Sequence, residues 1–324
     1  MGTLYYNPIH RNHRAKPLPT AKTKRRGLLH RASPPAIPFA FILLRMCGRF
    51  RLARKKEILE EAFEVDAALD DQDWSAAIAS AKQAAVPAPS LFADLAADAA
   101  DPVADDGANG TGWSAAYIPR FNVAPGQDVL AVRQHAAKPI RLFSQLRWGL
   151  IPYWTNDPSA GYKSINARSE TAATMRSFSE PLRLRRCLIP ADGFYEWKRD
   201  GKQKLPFCFT LASESVFAFA GIWDRWRDPN SNIVETGSIL TTSPNAVTSA
   251  VHDRMPVILD PDGYDIWLDP GMRDVTTASE LLKPYDAQQM RCYPISTRIN
   301  HVANDDEECS APVELIQAQA RLFF

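Results

Sequence analysis

Short apolar runs separated by turn residues dominate the chain from about residue 116 onward. β-branched and aromatic residues fill these runs, and Gly, Pro, Asn and Asp lie between them, a pattern typical of short strands. A similar run follows Met46. The pattern predicts strands at 47–52, 129–132, 145–148, 187–190, 193–197, 207–211, 217–221 and 238–242.

Helical spacing is confined to a few short segments. The clearest is 57–63, and weaker matches occur at 169–175, 245–251, 263–268 and 278–282. Many short strands with few helices and no internal repeat predict a single α+β domain. We expect it to be built on a mostly antiparallel, barrel-like β-sheet with short flanking helices.

Two stretches depart from this globular pattern. Residues 1–45 are Pro-rich and contain nine Lys or Arg and no acidic residue, whereas 66–115 contain 17 Ala and nine Asp. Such compositions bury too little apolar surface to fold alone. We interpret 1–45 as a leader that is disordered or not translated, and 66–115 as a disordered insertion. The domain then spans 46–313, and 314–324 form a C-terminal tail.

Three interpretations of the basic leader compete. It has the acid-free character of an organelle-targeting peptide, although it is poor in Ser and broken by Pro. A short apolar run before Cys47 resembles a lipoprotein signal, but Arg45 and Met46 stand where small residues are needed. We favour the third interpretation, in which translation starts at Met46.

Overall composition names no partner. The chain of 324 residues is 45% hydrophobic and 23% charged, as in globular proteins, and its formal net charge is +1. The number of cysteines, five, is odd, and they include no C-x-x-C pair, which argues against a disulfide scaffold and against a zinc site. An intracellular reducing compartment is therefore expected. The apolar run at 39–44 is too short to cross a bilayer, so no membrane association is predicted.

Cys47 is the first candidate for chemistry. If Met46 is the initiator and is removed, Cys47 carries an α-amine and a thiol on adjacent carbons. Both groups are partly nucleophilic near neutral pH. Together they can condense with an aldehyde to an imine and close to a five-membered thiazolidine. The alternative, a small buried cysteine on a strand, is favoured when the residue is considered alone.

Three further polar residues stand in unusual settings. Glu196, flanked by aromatics, is either the solvent-facing half of an alternating strand or a proton shuttle. His252 suits proton transfer near pH 7, although a lone histidine is more often structural. Asn166 either caps a turn or holds an amine or an oxyanion by hydrogen bonds. Arg168, two residues later on the same face of an extended segment, suits a phosphate.

Basic and aromatic residues also cluster locally. Interleaved cations and exposed rings suit single-stranded nucleic acid, because bases stack on the rings. An ordinary basic surface with buried tryptophans explains the same residues equally well. The clusters are Arg49, Arg51, Arg54, Lys55 and Lys56; Arg183, Arg185 and Arg186; and Trp148, Tyr153 and Trp154 with Lys163 and Arg168.

Six motifs in order resemble one family, the SOS-response-associated peptidase (SRAP) family. The resemblance extends from 46 to about 313, except for 66–115. The motifs are Met-Cys-Gly-Arg-Phe (46–50), Arg-Phe-Asn-Val-Ala-Pro (120–125), Arg-Trp-Gly-Leu-Ile-Pro-Tyr-Trp (147–154), Ile-Asn-Ala-Arg-Ser-Glu-Thr (165–171), Arg-Arg-Cys-Leu-Ile-Pro-Ala-Asp-Gly-Phe-Tyr-Glu-Trp (185–197) and His-Asp-Arg-Met-Pro (252–256).

The resemblance implies the SRAP fold and an abasic-site sensor. Such proteins bind single-stranded DNA, or junctions of single and double strand, and link their N-terminal cysteine to the abasic aldehyde as a thiazolidine. This linkage shields the lesion and needs neither a metal nor an organic cofactor. The implied catalytic residues are Cys47, Asn166, Glu196 and His252. The implied DNA contacts are Arg49, Arg168, Trp154, Pro125 and Arg254.

One departure from the family bears on this mechanism. Cys47 follows 46 residues here, so its nitrogen is an amide until the preceding residues are absent. A start at Met46, autoproteolysis or another peptidase would each free the amine. Two other functions stay open, a cysteine-type autopeptidase and a noncovalent module for damaged or modified DNA.

Partners and location complete the expectations. We expect a monomer that acts with the DNA, in the nucleoid, the cytoplasm or the nucleus, with organelle targeting by 1–45 as an alternative. The C-terminus has Gln317 followed six and seven positions later by Phe323 and Phe324, the outline of a sliding-clamp-binding peptide. Ala320 stands where a larger aliphatic residue is wanted, so we predict at most a weak clamp contact.

Overall fold

The computed structural model describes residues 48–65, 117–135, 138–201 and 203–314. The predicted leader 1–45, the insertion 66–115, Cys47 and all but the first residue of the 314–324 tail lie outside the described residues, so those predictions stay predictions. In the described part, thirteen strands are present. They are β1 Arg49–Leu52, β2 Arg120–Val123, β3 Asp128–Gln134, β4 Arg141–Trp148, β5 Asn166–Arg168, β6 Arg186–Ala191, β7 Gly193–Asp200, β8 Gln203–Leu211, β9 Phe217–Arg227, β10 Ile233–Thr242, β11 Met255–Pro256, β12 Ile258–Leu259 and β13 Met290–Pro294.

The α-helices are short throughout the described ranges. The longest has eight residues, and single 3₁₀ turns lie at Thr248–Ala250, Pro261–Gly263, Ala287–Gln289, Thr297–Asn300 and Glu307–Cys309. No helix of the described residues is long and apolar enough to cross a membrane. The helices are α1 Lys56–Phe63, α2 Ala160–Lys163, α3 Ser169–Ala172, α4 Ser179–Leu184, α5 Tyr264–Leu268 and α6 Val275–Glu280.

Five strands close into a barrel in the order β10–β4–β3–β6–β9, because β9 pairs back onto β10. Only the β10–β4 contact within this ring is parallel. The other five-stranded sheet, β13–β8–β7–β1–β2, is antiparallel throughout. The predicted α+β domain with a mostly antiparallel, barrel-like sheet is therefore confirmed.

Three apolar clusters form the core of the described residues, and the alternation of strand residues divides β3 between the two larger ones. In β3, Val129 and Ala131 belong to one cluster, whereas Leu130 and Val132 pack against the other. The first cluster joins the two sheets through Phe50, whose ring centroid lies 5.2 Å from that of Trp148 and 5.7 Å from that of Phe219. Five of the six described α-helices, all except α2, contribute residues to the second cluster.

All eight predicted strands are present, and α1 confirms the clearest predicted helix. The helix predicted at 245–251 is wrong beyond a single 3₁₀ turn. There the Asn245 side chain accepts hydrogen bonds from the amides of Val247 and Thr248, at 3.1 and 2.9 Å, and so satisfies the donors of an isolated turn. The patterns missed the short strands β2, β5, β11, β12 and β13.

A glycine pair fixes the exit from β4. Gly149 has φ +129°, and a Cβ at this position would lie 2.7 Å from the carbonyl oxygen of Gly161 in α2. Its amide donates to the Gly237 carbonyl at 2.8 Å. Only glycine tolerates this positive φ and this close approach to Gly161. Gly149 therefore allows the chain after β4 to turn sharply into the segment 150–154.

A buried ion pair lies at one end of the β3 face that carries Ala131. The Arg133 side chain is 1% exposed, stacks 3.8 Å from the centroid of the Trp223 ring, and contacts Glu235 Oε2 at 2.8 Å. Arg225 Nε contacts the other oxygen of Glu235 at 2.9 Å. Glu235 therefore balances a guanidinium that is out of reach of bulk water.

Replacement of Glu235 by alanine should strongly destabilise the fold, because the Arg133 charge stays buried without its carboxylate. We expect Glu235→Ala to lower the free energy of unfolding by about 3 kcal/mol in urea titrations. Arg291→Ala is the matched control, since its pair with Glu214 is mostly exposed, and it should change stability by less than about 1 kcal/mol. Equal effects of the two substitutions would contradict this interpretation.

The described thiols should react slowly in the folded protein. Burial raises the pKa of Cys187 to about 12 and that of Cys208 to about 11, so the reactive thiolate is scarce at pH 8. Unfolding returns both thiols to an ordinary pKa near ~8.5. We expect iodoacetamide to label them about a hundredfold more slowly in the native state than in urea, measured by peptide mass spectrometry. Rapid native labelling of either thiol would show that it is accessible.

Candidate functional site

Glu196 and His252 meet at the antiparallel sheet. Glu196 lies on β7, and although polar it is only 3% exposed. His252 lies on the loop before β11, and its Nε2 is 3.9 Å from Glu196 Oε2. The structure thus brings together an acid and a histidine that are 56 positions apart in the sequence, and it makes Glu196 buried rather than solvent-facing.

The start of β1 lies beside Glu196. β1 and β7 are antiparallel, with Arg49 opposite Tyr195 and Phe50 opposite Phe194. This register places Gly48, one residue before Arg49, level with Glu196. Cys47 itself lies outside the described residues, but one trans peptide, a Cα–Cα distance of about 3.8 Å, connects it to Gly48.

Asn166 lies on β5, close to the same loop. It is 3% exposed, and β5 runs parallel to β10 with Asn166 opposite Ile239. Thr241 of β10 pairs with Arg168 in β5 and with Pro256 in β11, so β10 lies between these two strands. Asn166 and His252 are therefore on chain segments that flank one strand.

The predicted DNA contact Arg254 is engaged within the protein. Its two terminal nitrogens bond Glu170 Oε1 and Oε2 at 2.7 and 2.8 Å, and Nη2 also donates to the Thr241 carbonyl at 2.7 Å. Its amide donates to His252 Nδ1 at 3.1 Å. Arg254 thus links the histidine turn to its surroundings, whereas its contact with DNA stays a prediction.

Arg49, also predicted to contact DNA, tethers the start of β1. Its Nη1 donates to Asn122 Oδ1 at 2.7 Å and to the Ile299 carbonyl at 2.8 Å. Buried Asn122 in turn donates to the carbonyls of Ile299, His301 and Asn304. A phosphate contact by Arg49 stays a prediction, and the structure gives this side chain a second role that its sequence setting did not indicate.

Several other basic residues have contacts within the protein. Arg186 is buried and donates to five carbonyls, those of Leu182, Arg183, Trp267, Asp269 and Met272. Arg51 and Arg54 contact the buried carboxylate of Asp192, each at 3.3 Å. Trp148 is buried and donates to the Ile165 carbonyl. Buried Arg186 and Trp148 therefore match the structural alternative, whereas nucleic-acid contacts by Arg51 and Arg54 stay predictions.

An exposed aromatic pair lies just beyond the glycine turn of β4. Tyr153 and Trp154 are 43% and 41% exposed, and the Arg176 guanidinium lies 4.2 Å from the centroid of the Trp154 ring. Arg168 and Lys163 are exposed, and the Arg168 guanidinium has no hydrogen bond or ion pair with the described residues. We call Tyr153, Trp154, Arg168 and Arg176 the aromatic–basic surface.

Buried residues behind this surface fix its backbone. Asp224 Oδ2 accepts from the Tyr153 amide at 3.1 Å, and burial raises the pKa of Asp224. Pro125 is buried in the turn between β2 and β3, where the Gly126 amide donates to the Trp148 carbonyl at 2.8 Å. Pro125 therefore lies beneath the exit of β4, and its predicted contact with DNA stays a prediction.

Sequence reasoning missed Asp224 and Glu170 as parts of the site. Glu170 lies within the motif 165–171, and its charge, opposite to that of Arg254, was the only feature of the sequence that indicated the ion pair. The sequence around Asp224 did not indicate a role, because an aspartate between aromatics on a long strand is as typical of a solvent-facing position as of a buried one. Among the described residues, no group of three or more His, Cys, Asp or Glu side chains could hold a metal ion.

Comparison with known proteins agrees with the fold and with the sequence motifs. A bacterial relative, abasic site processing protein YoqW of Bacillus subtilis (strain 168), is 45% identical over 193 residues, which cover 59% of this chain and 85% of the relative. Abasic site processing protein HMCES of Gallus gallus is 33% identical over 229 residues, covering 61% of this chain and 68% of that protein.

Solved structures agree as well. A crystal structure of a Bacteroides thetaiotaomicron protein matches with a TM-score of 0.54 and 29% identity, over 60% of this chain and 85% of that one. A Bordetella bronchiseptica protein, 22% identical with a TM-score of 0.55 over 77% of this chain and all of that one, shares the fold. The family model for SOS response associated peptidase (SRAP) matches residues 46–302. The chain therefore belongs to the SRAP family.

Proposed function

We propose that this chain processes abasic sites in DNA by forming a covalent thiazolidine between Cys47 and the ring-opened abasic aldehyde. The observation that carries the proposal is the buried Glu196, 3.9 Å from His252, at the strand end where Gly48 joins Cys47. The names of the relatives from Bacillus subtilis and Gallus gallus, abasic site processing proteins, support the same chemistry.

The proposed reaction is a condensation that releases one water. The Cys47 α-amine adds to the aldehyde carbon to give a carbinolamine, which loses water to form an imine. The Cys47 sulfur then adds to the imine carbon, the thiol proton passes to the nitrogen, and the five-membered ring closes. No electrons are gained or lost, so the reaction needs no oxidant or reductant.

The site residues match the proton transfers of this reaction. An abasic deoxyribose is mostly a closed hemiacetal, and a base or acid must open it; our candidate is His252, whose side chain is 18% exposed beside buried Glu196. Loss of water from the carbinolamine needs an acid, and Glu196 is the buried carboxyl beside Gly48. Asn166 would hold the amine or the sugar oxygen. Glu196 acting in reverse would open the thiazolidine and release the protein.

The proposal requires that Cys47 become N-terminal. Translation from Met46 followed by removal of that methionine would achieve this, and so would cleavage by another peptidase. A third route is autoproteolysis. The Glu196–His252 pair lies next to the chain that enters β1, and it could assist attack on the peptide bond that precedes Cys47.

We further propose that the aromatic–basic surface binds single-stranded DNA. Two neighbouring exposed rings offer stacking faces for unpaired bases, and exposed Arg168 offers a guanidinium for a phosphate. Arg168 is only two residues from Asn166, about 7 Å along an extended strand. A phosphate on Arg168 would therefore bring the neighbouring sugar close to the buried polar residues.

The crosslink can be measured by intact mass spectrometry. Protein expressed from Met46 should begin at Cys47 and gain the mass of one oligonucleotide, less one water, when incubated with single-stranded DNA that carries an abasic site. Cys47→Ser should give no stable adduct. Glu196→Gln should slow the reaction by at least about a hundredfold, because the proton donor is lost. Glu60→Gln, in helix α1, is the matched control and should react as the native protein does.

Expression from Met1 separates the routes to a free amine. Autoproteolysis would be established if the purified protein is trimmed to Cys47 and if Glu196→Ala abolishes this trimming. If no form of the protein gains DNA mass while binding persists, the covalent mechanism is wrong and a noncovalent binding module is the better account.

DNA binding should depend on the aromatic–basic surface. With undamaged single-stranded DNA, we expect Trp154→Ala to raise the Kd by about tenfold, since one stacked base contributes about 1–3 kcal/mol. Arg168→Ala should lower the slope of log Kd against log salt by about 0.7, the value for one phosphate contact on a single strand. Fluorescence anisotropy measures both. Ile266→Ala, an exposed apolar residue on α5, is the control, and an equal effect there would contradict the assignment.

A further inference from the structure

We propose that Glu170 is a positioning residue, which holds the His252 imidazole in a single tautomer by anchoring Arg254. The inference rests on the proposed function, because it assigns Glu170 to the site that contains Glu196 and His252. It concerns a carboxylate that touches neither of these two residues.

The anchor is a bidentate ion pair. Both oxygens of Glu170 are within 2.8 Å of the two terminal nitrogens of Arg254, the fork-to-fork arrangement that fixes direction as well as distance. These hydrogen bonds from Arg254 lower the pKa of Glu170, so the carboxylate is charged at neutral pH. The Thr241 carbonyl on β10 accepts a further bond from Nη2 at 2.7 Å. The guanidinium is thus held from two sides.

The backbone of Arg254 transmits this anchoring to the histidine ring. Its amide donates to His252 Nδ1 at 3.1 Å, and an amide nitrogen can only donate. With this hydrogen bond in place Nδ1 is the acceptor, and the ring proton of the neutral imidazole would lie on Nε2, which is 3.9 Å from Glu196 Oε2. In the other tautomer two N–H groups would point at each other.

Two other groups near Nδ1 favour the tautomer that carries the proton on Nδ1. The Arg254 amide must therefore be held firmly to prevent it. Asp253 Oδ1 lies 3.2 Å from Nδ1, and the Arg254 carbonyl lies 3.3 Å from it; both would accept a proton there. The Asp253 side chain is 91% exposed, and water weakens its interaction. The Arg254 amide therefore decides the tautomer as long as the turn at 252–254 keeps its orientation.

The same ion pair joins two segments of the site. Glu170 is in α3, which follows β5 and its Asn166 directly, whereas Arg254 immediately precedes β11. β10 lies between β5 and β11. Glu170 thus reaches across the end of β10 and ties the Asn166 segment to the His252 turn.

The test measures the tautomer directly, in full-length protein without DNA. Long-range ¹H–¹⁵N NMR of histidine-labelled protein distinguishes the two ring nitrogens, and His252→Gln assigns its signal among the six histidines. We expect the native protein to show a proton on Nε2 alone at a pH where the ring is neutral. Glu170→Ala should show a mixture of the two tautomers, and Glu170→Asp should restore part of the native pattern.

The kinetic measurement uses the same variants. We expect Glu170→Ala to slow crosslinking by about tenfold, a fraction of the contribution of one proton-transfer group. Glu60→Ala is the matched control, since it removes a carboxylate paired with Lys56 at 3.1 Å within helix α1, and it should change neither the tautomer nor the rate. Glu170 is half-exposed, so its loss should leave the protein folded.

The outcomes separate this inference from the proposed function. An unchanged tautomer in Glu170→Ala would overturn it, even if crosslinking slowed. So would tighter DNA binding without a tautomer change, because Glu170 would then merely compete with phosphates for Arg254. If the tautomer changes in Glu170→Ala but the native protein forms no crosslink, the positioning role stands and the proposed function fails.

Discussion

The pairing of β1 with β7 is the constraint on which the candidate site depends. β1 has only four residues, but Phe50 packs between the two sheets, and Arg49 and Arg51 bond protein groups on either side of it. A shift of one residue would reverse the faces of β1 and expose Phe50. The register that buries Phe50 therefore also places Gly48 beside Glu196. The fold and the chemistry are set by the same contact.

Arginine has two distinct roles in this molecule. Arg186, Arg49 and Arg51 bind carbonyls and carboxylates of the protein itself, where one planar guanidinium satisfies several acceptors that irregular loops would otherwise leave unpaired, and for Arg49 the predicted phosphate contact would be a second role. Arg168 instead ends a strand at the surface. The sequence alone does not distinguish these two roles. The number of basic residues near a motif therefore overestimates the number that could contact DNA in the proposed function.

The sequence was informative where structure is local. Strands such as β3 and β9 alternate or run apolar because both larger core clusters border them, and their patterns are visible without a structure. β5 could not be predicted, because three residues carry no pattern and its partner β10 lies about 70 positions later. The meeting of Glu196 with His252 depends on the same kind of long-range contact. Family motifs named these residues, whereas Asp224 and Glu170 emerged only from the packing around them.

In the proposed function, chemistry and DNA recognition fall to different parts of the site. Glu196 and Asn166 are buried, which suits groups that must meet one aldehyde and exclude other reactions, whereas the aromatic–basic surface is exposed, which suits a flexible strand of varied sequence. A thiazolidine needs a terminal amine, and a terminus can enter a buried site where a continuing chain would have to leave it again. Within the described residues β1 begins at Arg49, beside Glu196, and this placement is what the proposed role of Cys47 as an N-terminal nucleophile requires.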